Sequence, residues 1–133
     1  PSANLELVLP PGSGPRHMAF HPTLPIAYVV NELANTVSTC SVNKDTGKLT
    51  ILSTQTTLPG GFEGLANTSA IRVLEDGSAL YVANRFHDSI ARFTLDADGV
   101  PTFGECTPLG EKTPRDMVIL SNPDGSQPVL LVA

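Results

Sequence analysis

The chain has 133 residues, 13 acidic against 8 basic side chains for a net charge of −5, and a composition 41% hydrophobic and 16% charged. That length suits one domain with its own core, and that balance excludes wholesale disorder. So few Lys and Arg leave no basic patch for nucleic acid or an anionic membrane, and no apolar run approaches the roughly 18 residues of a bilayer span.

In chain order, the pattern is one of short segments with period two, bounded by Gly, Pro, Asn or Asp. Strands are expected near 16–20, 26–31, 35–42 and 48–56, then near 70–74, 79–84, 88–95 and 102–108. The segments AYVVNE, TVSTCSV and LTILSTQT carry the first group, ALYVANR and SIARFTL the second. Turn chemistry separates them, His21-Pro22-Thr23 and Glu75-Asp76-Gly77 in one kind of connection, Lys44 to Gly47 and Asp96 to Gly99 in the other. No segment has the spacing of a capped amphipathic helix, so the class is all-β.

The strands repeat. Setting Arg16 to Phe20 over Ser69 to Val73 brings Tyr28-Val29-Val30-Asn31-Glu32 over Tyr81-Val82-Ala83-Asn84-Arg85, and Asn35-Thr36-Val37-Ser38 over Asp88-Ser89-Ile90-Ala91, without a gap. A third copy begins at Pro114-Arg115-Asp116-Met117-Val118 and, with about three extra residues at Asn122 to Ser126, reaches Leu131-Val132-Ala133. A unit of about 50 residues holding four antiparallel strands describes a blade of a β-propeller. The expected division is 1–13 as the end of a preceding blade, with Leu5 to Leu9 its outer strand, 14–60 and 61–113 as two blades, and 114–133 as the start of a following one.

A propeller closes with 4 to 8 blades, so about two and a half blades are expected to be a fragment of something larger. The start at Pro1, without Met or a signal-type leader, and the apolar run at 128–133 fit the same expectation. Open blade faces and strand edges call for the rest of the propeller or for self-association. Cys40 and Cys106 lack C-x-x-C spacing, which points to small buried thiols and, by default, to a reducing cytoplasm.

The segments GPRHMAFHP (14–22), AYVVNEL (27–33) and SAIRVLEDGSALYVANRFHDSIARF (69–93) resemble consecutive blades of the lactonase family of seven-bladed propellers, of the 6-phosphogluconolactonase type. That family is related to the fungal muconate-lactonizing enzymes. The resemblance runs from about residue 5 to 133 in blade order and implies late blades of the seven. Related members face the central channel with an Arg at the start of the inner strand, a Glu after the second strand, and an Arg after the second strand of the next blade. It thus implies Arg16, Glu32 and Arg85 as catalytic residues, with His17 beside them in G-P-R-H. A His on the preceding blade's inner strand, an acid or base in the muconate relatives, has no counterpart here.

The implied chemistry is hydrolysis of a small anionic sugar-acid lactone such as 6-phosphogluconolactone, without metal or cofactor. It requires recognition of an anion, stabilisation of an oxyanion and movement of one proton. The fork of an arginine suits the first two tasks, and Arg16 and Arg85 would converge from adjacent blades; alternatively both tie blades together through nearby carboxylates. Glu32 would activate water or orient an arginine, or else be a solvated strand-end carboxylate. His17 has the intrinsic pKa of a proton shuttle but could equally cap a carbonyl. Arg115, followed by Asp116, either extends the anion site as a substrate-binding residue or forms a local salt bridge.

His21 reads as a turn residue and His87 as part of a hairpin, and the three His lack the spacing of a metal triad. Asn31 and Asn84 recur at one repeat position, which points to a shared turn. Residues 58–68 read as a mobile Gly-rich loop at the mouth of the site, with no phosphate-loop pattern, and no G-x-S-x-G elbow is present. Two other functions remain open at this level: cycloisomerisation of a carboxy-muconate, and a non-catalytic propeller segment that binds ligands or other blades.

Overall fold

The computed structural model describes residues 7–110, 112–121 and 127–133, and no helix occurs among them. The first blade consists of β1 (Pro15–Phe20), β2 (Ile26–Asn31), β3 (Thr36–Val42) and β4 (Leu49–Thr56), antiparallel and in sequence order. The second repeats this with β5 (Asn67–Val73), β6 (Ala79–Arg85), β7 (Ser89–Leu95) and β8 (Pro101–Pro108), and β9 (Met117–Leu120) pairs with β10 (Val129–Val132). The register matches from sheet to sheet. Val29 faces Met18, Val82 faces Ile71 and Val132 faces Met117.

Burial grades outward across a blade for a physical reason. β2 is buried along its whole length, because both of its faces are covered, and it accordingly reads as a continuous apolar run. The outer strand β4 alternates between half-buried and exposed residues. Ile26, Tyr28, Val30 and Val37 of the first blade pack against Ile71, Leu80, Val82 and Phe93 of the second. The opposite face of the second blade, with Ala70, Ala83 and Ile90, packs on Met117.

A buried polar tie crosses this apolar seam. Tyr28, fully buried, donates its hydroxyl proton to the carbonyl of Gly99 at 2.7 Å. Burial, aided by Asp96, pushes its phenol pKa up to about 12, so it remains a donor at any physiological pH. Tyr28→Phe strands that carbonyl and is expected to cost about 1–2 kcal/mol in a urea melt; an unchanged midpoint would mean that water replaces the bond.

The structure departs from the sequence pattern in two places. β5 begins at Asn67, ahead of the expected 70, because Asn67 and Thr68 pair with Arg85 and Asn84 of β6 beyond the ladder irregularity, while Thr68 N and Asn67 Nδ2 both donate to the carbonyl of Glu32 in the neighbouring blade. The Gly-rich connection therefore ends earlier than expected, at Ala66. Leu7 to Leu9 are in no strand, whereas an outer strand was expected there; no ladder of a preceding blade is present among the described residues for them to join. Leu5 and the insertion expected at 122–126 lie outside the described residues.

Candidate functional site

The site is built where second strands end and inner strands bulge. β2 and β6 run toward the same rim, so the residues that follow Asn31 and Asn84 emerge side by side. The inner strands approach there too: the β1–β2 ladder skips a residue between Pro15 and His17, and the β5–β6 ladder shifts between Thr68 and Ile71. A bulge re-aims the side chain at the irregularity, and the residue released in the first blade is Arg16. Its Nη1 donates to the carbonyl of Ser69, at the corresponding bulge of the second blade, at 2.6 Å.

Glu32 is the centre of the cluster. The Nη2 of Arg85 donates to its Oε1, and the Nε of Arg16 lies 3.7 Å from its Oε2. Glu32 and Arg85 occupy the same position in successive repeats, so opposite charges at equivalent sites pair across the blade boundary. The Glu32 backbone is sewn to both sides, donating to Gly14 O at 2.7 Å and accepting from Thr68 N at 3.3 Å. The Arg85 side chain is only 10% exposed, and its Nε is buried without a hydrogen-bond partner among the described residues. A carboxylate flanked by two guanidiniums is well neutralised. Its two oxygens face one guanidinium each.

His17 joins this group through Arg16, whose Nη1 lies 3.2 Å from its Nε2. A guanidinium only donates, so Nε2 accepts and the ring proton sits on Nδ1. Burial first, and then the Arg16 charge, hold the His17 pKa below the ordinary 6.5. The imidazole is neutral at pH 7. Arg16 and Arg85 thus form the tie between blades through a nearby carboxylate.

Arg115 is exposed; its backbone N–H donates to Ala133 O at 2.6 Å, and its side chain makes no ion pair among the described residues. Asp116 pairs instead with Arg72 at 2.7 Å, across the second blade and the third sheet, so the local Arg115–Asp116 salt bridge is not formed. That bond and the N–H of Met117 hold the Asp116 carboxyl below its ordinary pKa, the N–H being the larger cause. His21 is a turn residue, its Nδ1 accepting from the N–H groups of Thr23 and Leu24. His87 sits in the β6–β7 turn, 2.6 Å from Ser89 Oγ, with Phe62 packed edge-on at 4.6 Å between centroids.

Sequence reasoning missed Arg72 and the carbonyl of Ser69. Both were within reach of the repeat, since Ser69 aligns with Arg16, but a carbonyl acceptor carries no residue signature. A hollow of about 250 Å³ borders Arg16 and His17 on the open flank of the first blade. A larger one, about 310 Å³, lies at the opposite rim among His21, Asp76 and Asp96, whose acceptors are already engaged in turns. Among the described residues no group of three or more His, Cys, Asp or Glu is arranged to hold a metal, and no helix is long and apolar enough to cross a membrane.

Comparison with known proteins places this geometry. Residues 2–132 match the family described as lactonase, 7-bladed beta-propeller. The chain is 41% identical over 109 residues to the 6-phosphogluconolactonase of Bacillus subtilis, covering 81% of this chain and 31% of that one. Among solved structures it superposes on the periplasmic gluconolactonase of Pseudomonas aeruginosa with a TM-score of 0.84 and 32% identity, over 96% of this chain and 34% of that one. A Lactobacillus plantarum protein gives a TM-score of 0.84 at 30% identity, over 94% and 36% respectively. The chain spans about a third of the length of these relatives. With that family model matched across residues 2–132 and two four-stranded antiparallel sheets of the propeller type, the chain belongs to the seven-bladed β-propeller lactonase family.

Proposed function

We propose that this segment forms part of the active site of a propeller lactonase that hydrolyses a sugar-acid lactone, such as 6-phosphogluconolactone. The observation that carries the reading is the Arg85–Glu32–Arg16 cluster with a neutral His17 beside it. Arg85 and Arg16 supply donors for an anionic group and for the oxyanion that forms when water attacks the ring ester. Glu32 holds both in place.

His17 receives the proton of the attacking water and returns it to the ring oxygen as the C–O bond breaks. Its accepting Nε2 is occupied by Arg16, so an anion that draws Arg16 toward itself frees the base. Substrate binding and base activation are thereby coupled. Arg115 borders the same inner-strand start in the third unit and serves the substrate's anionic group. Burial raises the pKa of both free thiols, Cys40 and Cys106, and a reducing cytoplasm is the setting proposed for them.

The test is lactone hydrolysis by a full-length propeller carrying this segment, measured against the spontaneous rate across pH. The His17 pKa lies below 6.5, so kcat/KM should be flat near neutrality and fall about tenfold per pH unit once the pH passes below that folded value. The same sign governs stability. The folded state binds fewer protons than the unfolded chain in that window, so the His17 contribution is full above 6.5 and declines as pH falls toward the folded value. A rate equal to the spontaneous one sinks the lactonase reading; a His17→Gln variant with an unchanged acid limb removes His17 from the proton step.

A further inference from the structure

The residue after Arg85 has an unusual backbone. Phe86 has φ 68, in the left-handed region, where a bulky aromatic residue is a true outlier. The repeat does not impose this, because Leu33 occupies the same position in the first blade without a positive φ. The turn of the second blade is instead held from several sides. Phe86 N donates to Asp88 Oδ1 at 3.1 Å, and that oxygen also accepts from Thr113 N at 2.7 Å. Leu109 N bonds the carbonyl of Asp88 at 2.8 Å, and Phe62 braces His87. Strain of this kind persists only where the surroundings over-determine it, and it concentrates at ligand-binding positions.

The strained backbone presents an aromatic ring to solvent at the edge of the charged cluster. The Phe86 side chain remains half exposed, and the Arg85 guanidinium carbon lies 5.9 Å from its centroid. The same guanidinium holds Glu32. An apolar ring face next to donors for an anion matches a ligand with the complementary pair of features: a sugar ring, whose C–H face is apolar, carrying an acidic group.

We infer that Phe86 is a substrate-binding wall on which the ring of the sugar lactone stacks while Arg85 takes its polar end. The inference rests on the lactonase reading for the identity of the ligand. It predicts that binding of the ring, and not of a bare anion, depends on Phe86.

The experiment compares the full-length propeller with its Phe86→Gly and Phe86→Tyr variants. Glycine removes the ring and suits the left-handed backbone, so the melting temperature should not fall. Phe86→Gly should raise KM for the lactone about tenfold, with the loss carried by KM. Inhibition by inorganic phosphate, which has no ring to stack, should stay the same, and Phe86→Tyr should restore KM. An unchanged KM in Phe86→Gly overturns the inference and leaves the lactonase reading standing. KM and phosphate inhibition weakening together also overturns it, because the ring would then act only by positioning Arg85. Should neither protein hydrolyse lactone, the lactonase reading fails separately, and calorimetry with a sugar lactam, which keeps the ring, decides. Binding to wild type that weakens in Phe86→Gly sustains the stacking wall, and equal or absent binding overturns it.

Discussion

Arg85→Ala is expected to lower lactone kcat/KM by about 10³-fold in a full-length propeller carrying this segment. The size follows from where the guanidinium lies. Its side chain is 10% exposed, so water that enters the space cannot reproduce a fixed fork of donors. Among the described residues its Nε has no hydrogen-bond partner and its Nη2 is committed to Glu32, so the fork is only partly engaged. Arg85→Lys keeps the charge and loses the fork, and should recover no more than about tenfold of the loss.

Stability reports the other half of the same interaction. Without Arg85, Glu32 has only the Arg16 Nε at 3.7 Å, and its side chain is 31% exposed, so solvent recovers part of the lost pairing. A fall of about 1–2 kcal/mol in a denaturant melt is expected, below the 3–5 kcal/mol of a fully buried pair. Loss of stability with intact turnover would make Arg85 a tie between blades and nothing more. Loss of turnover together with that moderate fall in stability is the expected result.

The blades were legible because period-two alternation and turn chemistry recur in one frame. A register error in one unit would have displaced the match between Tyr28 and Tyr81. The boundaries that failed depend on contacts between units. β5 starts early because Asn67 and Thr68 pair with Arg85 and Asn84 beyond a ladder irregularity, and Glu32, 35 residues away from Asn67, adds its carbonyl from the neighbouring blade. Likewise the candidates Arg16, Glu32 and Arg85 were nameable from their repeat positions and the family resemblance. That an arginine pairs with a nearby carboxylate was also among the readings, but that Glu32 holds both arginines was not, since alignment sets Glu32 over Arg85 as equivalents and gives no sign that equivalents touch. Phe86 went unremarked for a related reason: its φ is set by Asp88, Thr113 and Leu109 together, and a pattern of residue types carries no dihedral angle.

Repeat equivalence also conceals a difference that a second large effect should expose. Asn31 ends β2 and Asn84 stands one residue before the end of β6, at the same repeat position, and both are buried. Asn31 stays within its blade, donating to Thr36 Oγ1 at 2.9 Å and Ser38 Oγ at 3.0 Å. Those hydroxyls can turn elsewhere, and Ser38 already lies 3.0 Å from Thr54 Oγ1. Asn84 crosses between blades: its Nδ2 donates to Thr57 O at 2.9 Å, and Thr57 Oγ1 approaches its Oδ1 at the same distance. Thr57 is fully buried where the first blade hands over to the second, and a carbonyl cannot redirect itself. Asn84→Ala should therefore cost about 2–4 kcal/mol and Asn31→Ala about 1 kcal/mol less, as read from urea midpoints at constant slope. Equal losses would mean that both residues merely shape a common turn. The larger loss at Asn84 would identify a polar pin holding neighbouring blades at the spacing that brings Arg85 onto Glu32.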